Sequence, residues 1–305
     1  MENINEKVLI NTKSYGNVVL DEPVGFCSIP ERFRENSIKQ GFTFNMLIVG
    51  RRGLGSKTLI NSLFNASIVS NDRSEGVNVL TSEVVEGQVK LNVSITTFND
   101  LDNYNELIDH INGLNQHYFE QENNVFNEIT DKRIHCCLFL FPNGKLTKNE
   151  VNCLRSLTEL CNVIPVITKA DSYMEEELKD VKMRVSSYLS GLDLYHPIVS
   201  IIASEYKFEI DEEYLRGRKY DWGFISIYEY GDFSKLQRMC VYECHDELKN
   251  LTVIKFYSKY KANLNEDVNH DLILEKLQSQ IEETITKSHE KIKEELESKI
   301  KELEK

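Results

Sequence analysis

An apolar run, Met46-Leu47-Ile48-Val49, leads into Gly50-Arg51-Arg52-Gly53-Leu54-Gly55-Ser56-Lys57-Thr58, and a helix-like run, Leu59-Ile60-Asn61-Ser62-Leu63-Phe64, leads out. A strand that feeds a glycine-rich turn and then a helix admits few folds. Backbone N–H groups at such a turn, with the positive end of the helix dipole, form a seat for phosphate oxygens. The P-loop pattern asks for two glycines five apart, then Lys, then Ser or Thr, so that the ammonium reaches the β/γ-phosphates and the hydroxyl holds Mg²⁺. Gly50 and Gly55 fit. Ser56, however, stands where Lys is expected, Lys57 stands where the metal-binding hydroxyl is expected, and Thr58 follows one place late. A glycine turn also serves as a plain link between strand and helix, so the other nucleotide-reading positions must decide between the two.

Those positions lie along an alternating β and α pattern that starts at Gly41. A polar loop at 70–76 precedes Val84-Val85, a turn at Glu86-Gly87-Gln88, and a run at 89–95 with strict period-two alternation, which together read as a hairpin. In a nucleotide-hydrolysing fold an Asp near the end of this second strand helps hold Mg²⁺, and a nearby Gly contacts the γ-phosphate. Here the chain reads Thr96-Thr97-Phe98-Asn99-Asp100-Leu101-Asp102, without a glycine. Asp100 and Asp102 come late and read as loop or helix-start residues. Residues 103–130 are polar, with Tyr118 and Phe119 as the expected packed positions of a helix.

Two continuous apolar runs, 134–141 and 163–167, have the character of parallel strands buried on both faces, with a helix expected around 151–160 between them. The second delivers Thr168-Lys169-Ala170-Asp171 to the edge of an open α/β sheet where ligands bind. A carboxylate in Asp171's position can accept from both the N1–H and the 2-amino group of guanine, a donor pair that adenine lacks, and the Lys169 stem can lie over the base. After another helix, residues 198–204 supply one more buried strand with small residues at its tip.

The 305-residue chain is 41% apolar, enough for a substantial core, and its net charge of −13 argues against nucleic acid as the main partner. Seven cysteines without C-x-x-C spacing read as buried free thiols in a reducing compartment. The residues from Met1 lack the layout of a signal peptide, and no window is apolar enough for a membrane span, so a cytosolic protein is expected. Residues 1–40 read as an arm in which Arg32, Arg34 and Lys39 form either a solvated helix face or a small patch for weak peripheral contact with an anionic membrane.

Over roughly residues 24–261 the chain resembles the septins, filament-forming GTP-binding proteins. Val24-Gly25-Phe26 with Pro30, Lys39 and 41–44, the helix run 59–64 and the strand 134–138 are similar to that family's G domain. Most diagnostic is Arg216-Gly217-Arg218-Lys219-Tyr220-Asp221-Trp222-Gly223, which looks like the G-R-x-Y-P-W-G signature of the septin-unique element, with Asp221 in place of the proline. The resemblance implies a P-loop NTPase-like, three-layer α/β/α G domain over 41–265, its septin-unique element starting near 205. It also implies that GTP or GDP is held by the loop residues Gly50, Gly53, Gly55, Ser56, Lys57 and Thr58 and by Lys169, Asp171 and Arg218. Ala203 stands where the family has a glycine close to the base. Trp222 would lie at a subunit interface across the nucleotide, the alternative being a core residue.

The departures cluster on the phosphate side, where Lys and Ser are transposed and the groups that would hold Mg²⁺ are missing. No catalytic residue is assigned. From Asp267 the chain lacks Gly and Pro, and apolar residues recur at three and four, so 266–305 reads as a short coiled coil or as an amphipathic helix folded on its own domain. The resemblance implies a cytoplasmic, cytoskeletal subunit of homo- or hetero-oligomers with septin-like partners, at the division site or the membrane cortex. A slow GTPase and a regulatory pseudo-GTPase that binds septins without polymerising are the other two readings.

Overall fold

A computed structural model describes residues 29–69, 76–124, 129–141, 146–192, 194, 197–210, 213–242 and 245–267. The expectations for 1–28, for most of the loop at 70–76 and for the helix beyond Asp267 lie outside the described residues. In chain order the elements are α1 (Ile29–Gln40), β1 (Phe42–Val49), α2 (Ser56–Leu63), β2 (Val77–Glu86), β3 (Val89–Phe98), α3 (Asn105–Glu122), β4 (Cys136–Phe141), α4 (Lys148–Leu160) and β5 (Val163–Ile167). There follow α5 (Glu175–Leu189), β6 (Val199–Ser200), β7 (Lys207–Ile210), β8 (Glu213–Tyr220), β9 (Gly223–Ser226), α6 (Phe233–Gln237), α7 (His245–Leu251) and α8 (Ser258–Asp267).

Among the described residues, six strands form one sheet in the order β2-β3-β1-β4-β5-β6, and β7-β8-β9 form a second, antiparallel sheet. The β2–β3 hairpin is the antiparallel edge; β3, β1, β4, β5 and β6 run parallel. Alternation along each central strand sorts its side chains between two cores. Phe44, Met46 and Ile48 of β1 and Cys136, Leu138 and Leu140 of β4 meet Leu59, Ile60 and Leu63 of α2, with Leu236 and Leu248 from the α6–α7 region. On the other face Leu47, Val49, Cys137, Phe139 and Phe141 meet Leu107 and Ile111 of α3, Leu154 and Leu157 of α4, and Val181 and Val185 of α5. The result is the expected three-layer α/β/α domain. Cys136, Cys137, Cys153, Cys161 and Cys240 are buried free thiols within these cores, as their apolar neighbours suggest.

Three local readings are corrected. The buried positions of α3 are Leu107, Ile111 and Asn115, one per turn, whereas Tyr118 and Phe119 are only half-buried. Tyr118 instead packs at the far end of the domain, its ring 5.1 Å from that of Tyr257. The last strand of the large sheet covers only Val199–Ser200, not the whole run to Ser204. Asp232 accepts from both the N–H and the hydroxyl of Ser200, and the Asp232 N–H donates to the Ser200 carbonyl at 2.6 Å, so these contacts take the place of a further strand. In α1, Arg32 and Lys39 are seven residues apart and share a face, but Arg34 points to the opposite side at 100° per residue. The three basic residues therefore do not form one patch.

Arg133, just before β4, is 2% exposed, and its guanidinium lies over the rings of both Tyr118 and Tyr257, at 3.6 and 4.6 Å. Its Nε and Nη2 donate to the two oxygens of Asp131, at 3.0 and 2.8 Å. Burial pushes the Asp131 carboxyl up, but bonds from His135 and Arg133 reverse this and hold it well below the usual carboxylate range. The Tyr257 hydroxyl donates to Glu122, which also pairs with Lys261 at 2.6 Å. Through this cluster α8 is rooted on the end of α3.

Candidate functional site

Because β1, β4 and β5 are parallel neighbours, the loop after β1 and the loop after β5 emerge on the same edge of the sheet, two strand spacings or about 10 Å apart. This suits a ligand with phosphates at one end and a flat base at the other.

On the phosphate side, Gly50 ends the run of β1 with its N–H donating to the Phe98 carbonyl at 3.1 Å, which ties the loop to the tip of β3. Gly53 and Gly55 both have φ of +87°, a region that costs a side chain strain and glycine none. Gly55 turns the chain into α2, whose first turn has no side-chain cap. Its leading N–H groups thus suit a bound anion. A cavity of about 750 Å³ opens here, lined by Gly50, Gly53, Gly55, Ser56, Lys57 and Thr58 together with Arg51, Arg52, Asn78, Thr97 and Asn99 among others. Among the described residues the lining carries three cations and no carboxylate. Asp100 and Asp102 line a smaller neighbouring cleft instead, beside Arg51 and Arg52. Arg51 itself turns aside, its Nε 2.5 Å from Oε1 of Glu150. Glu150 is held by the capping box that starts α4, its Oε2 accepting from the Thr147 N–H at 2.6 Å. The donor set fits a phosphate. To Mg²⁺ the described lining offers the hydroxyls of Ser56, Thr58 and Thr97 but no carboxylate.

On the base side, Thr168 is buried at the end of β5, and Lys169 adopts the left-handed conformation at φ 56°. A non-glycine residue held there costs of order 1–3 kcal/mol, a strain found mainly at ligand sites. The turn that follows is fixed by the Ala170 N–H donating to the Ile201 carbonyl at 3.1 Å, and the Asp171 side chain is only 1% exposed. Arg218 Nη1 donates to Asp171 Oδ2 at 2.9 Å, while Arg218 Nε and Nη2 donate to the Ala203 carbonyl at 3.2 and 3.1 Å. The Tyr220 hydroxyl donates to that same Oδ2. Burial and the bond to Asp171 both push the Tyr220 phenol up, so it keeps its proton at neutral pH. Asp171 Oδ1 and the Thr168 hydroxyl are buried without a hydrogen-bond partner among the described residues. Such atoms are costly unless a ligand or water completes them. The N1–H and amino group of a guanine edge would supply the donors that such an acceptor oxygen takes.

The two halves are braced to each other. Ser62 Oγ of α2 donates to the Ser204 carbonyl at 3.0 Å, and Asn61 Nδ2 donates to Glu205 at 3.2 Å. The lining of the large cavity nevertheless includes none of Lys169, Asp171, Ala203 and Arg218. Arg218 and Tyr220 lie over the base seat. Between β8 and β9, Tyr220 pairs with Gly223 across a turn made by Asp221 and Trp222. Trp222 is 71% exposed and stacks on Tyr220, the rings 5.1 Å apart and within 5° of parallel. It is not a core residue.

The family model described as Septin matches residues 40–198 and 194–272. The chain belongs to the septin family. The septin relatives include "Cell division control protein 10" of Encephalitozoon cuniculi (strain GB-M1), 37% identical over 281 residues, which span 84% of this chain and 79% of that protein. "Cell division control protein 3" of Candida albicans is 29% identical, over 80% of this chain and 70% of the relative. "Septin-10" of Mus musculus is 29% identical, over 78% and 61%. Among solved structures, the septin GTPase domain from Chlamydomonas reinhardtii superposes with a TM-score of 0.60 at 19% identity, covering 72% of this chain and 98% of that one. At that identity the match speaks for the septin fold.

Two site residues of this septin were not singled out from its sequence. Tyr220 lay within the signature, but nothing local indicates that its hydroxyl reaches Asp171, 49 positions back. Glu150 is announced only by the T-x-x-E spacing of its capping box.

Proposed function

We propose that this septin is a guanine-nucleotide-binding cytoskeletal subunit that works by assembling with septin-type partners, as homo- or hetero-oligomers or filaments, and turns over little or no GTP. One observation carries the reading: a single hairpin sends Arg218 and Tyr220 inward to Asp171 and leaves Trp222 exposed beside them. The base seat and an aromatic anchor are thus one unit. Exposed tryptophans of this kind are frequent hot spots of protein interfaces. In the bound state Asp171 would accept from the guanine N1–H and amino group, with the Lys169 stem over the ring. The leading N–H groups of α2, with Lys57 and Arg52, would hold the phosphates. Mg²⁺ is not assigned, because the described lining of the phosphate cavity sets three cations beside the hydroxyls of Ser56, Thr58 and Thr97 and holds no carboxylate. The names of the cell division control relatives support a role in cell division, at the cytoskeleton of the division site.

The test is to denature the purified protein and identify what it releases, and to sediment the parent beside Trp222→Ala. Guanine nucleotide in the supernatant and a shift to smaller species in the variant are expected. An adenine nucleotide would overturn the base assignment, and an unchanged oligomer would overturn the interface.

A further inference from the structure

A guanine docks on a carboxylate through two parallel bonds, one to each oxygen. An ionised carboxylate offers about two acceptor sites per oxygen. On Asp171 the Oδ1 sites lack a donor among the described residues, whereas Oδ2 already accepts from Arg218 and from the Tyr220 hydroxyl. A base that arrives edge-on therefore finds one oxygen open and the other filled, and one protein donor has to leave. Arg218 is held twice more, by the Ala203 carbonyl, and its charge offsets that of a carboxylate only 1% exposed. Tyr220 is neutral and sits at the last position of β8, directly before the turn. It is the cheaper group to move. Its ring is stacked face to face on Trp222, so a swing of Tyr220 changes what Trp222 rests on.

We infer that Tyr220 is a built-in competitor for the guanine edge: it occupies the Asp171 site that the base must take, so base binding expels it and re-sets Trp222 on the assembly face. The inference rests on the guanine reading above. It makes Tyr220 a brake on affinity and couples nucleotide occupancy to the exposed aromatic surface within a single hairpin. It also gives Tyr220→Phe an unexpected sign. Loss of a hydroxyl that supported the site would weaken binding, whereas loss of a competitor strengthens it.

The experiment titrates GDP into the full-length parent, Tyr220→Phe and Asp171→Ala by calorimetry, and follows Trp222, the only tryptophan of the chain, by its emission. The phenylalanine ring keeps the stacking surface, and circular dichroism checks that the fold is intact. The expected result is about tenfold tighter GDP binding by Tyr220→Phe, the scale of one hydrogen bond to a charged group, with binding weakened about ten- to a hundredfold in Asp171→Ala. Saturating GDP should change Trp222 emission in the parent and change it less in Tyr220→Phe. Equal or weaker binding by Tyr220→Phe, with Asp171→Ala still deficient, would overturn the competitor and leave the guanine reading standing. Failure of both the parent and Tyr220→Phe to bind GDP would overturn the guanine reading itself. Emission unmoved at saturation would remove the coupling to Trp222.

Discussion

The two ends of the nucleotide edge are built on different principles. The base end is made of side chains that satisfy one another, Asp171 with Arg218 and Tyr220, and Arg218 with the Ala203 carbonyl. The phosphate end is a backbone turn with cations around an open cavity of about 750 Å³. A side-chain network is specific and demands particular residues. A backbone turn tolerates change, since glycine placement and the helix terminus do most of the binding. On the function proposed above, the base end would depend on its particular residues, whereas the phosphate end would tolerate the transposed Ser56 and Lys57.

The largest effect expected of that contrast concerns turnover. Each missing stabiliser of phosphoryl transfer is worth on the order of 10³-fold, so multiple-turnover phosphate release from GTP should be undetectable. The double change Ser56→Lys with Lys57→Ser, which restores the P-loop order, should not rescue it, because the carboxylate is still absent. Phosphate release by that variant would break the contrast.

At the base end Asp171→Ala should weaken GDP by about ten- to a hundredfold, the cost of leaving buried donors unpaired. Calorimetry with ATP as the competitor sharpens the point, since ATP bound as tightly as GTP would remove guanine selection altogether. Trp222→Ala should weaken assembly by roughly thirtyfold, or about 2 kcal/mol. The melting temperature should barely move, because a side chain that is 71% exposed contributes little to the core.

The smallest effect is a control lying away from Asp171 and the loop. Burial pushes Asp232 up, but bonds from Ser200 and Lys182 hold it below the usual carboxylate range, and Asp131 is depressed likewise. A carboxyl with a lowered folded pKa contributes stability above its unfolded value, near 4, and loses that contribution as pH falls through the folded value. Melting between pH 5 and about pH 2 should show that decline, and Asp131→Asn should flatten it by a few degrees, about 2 to 4 °C per kcal/mol. A variant that melts in parallel with the parent would show that the pair adds nothing.

Much of this was legible in the chain. The continuous apolar runs became β4 and β5, the period-two run became β3, and the turn between strand and helix folded as its glycines require. Thr168 to Asp171 and Arg216 to Gly223 could be placed as separate motifs. Their meeting could not, because a bond from Tyr220 to Asp171 depends on how the small sheet leans over the large one, and no local pattern encodes that. The same holds for Arg51, which lies in the loop yet turns to Glu150, 99 residues on. Tyr118 misled for the opposite reason: an aromatic in an amphipathic helix suggests core, but its partner is a buried cation at the domain's edge.

That cation also marks the rim of the sheet opposite the nucleotide edge. Arg133 precedes β4 and so lies at the amino-terminal ends of the parallel strands, whereas Asp171 and Trp222 belong to the carboxyl-terminal ends. Tension along α8 would be received by the cluster of Tyr118, Arg133 and Tyr257 and by the Lys261–Glu122 pair. The sheet would then stand between α8 and the nucleotide edge, so a load on α8 and a filled base seat would act on opposite rims of it.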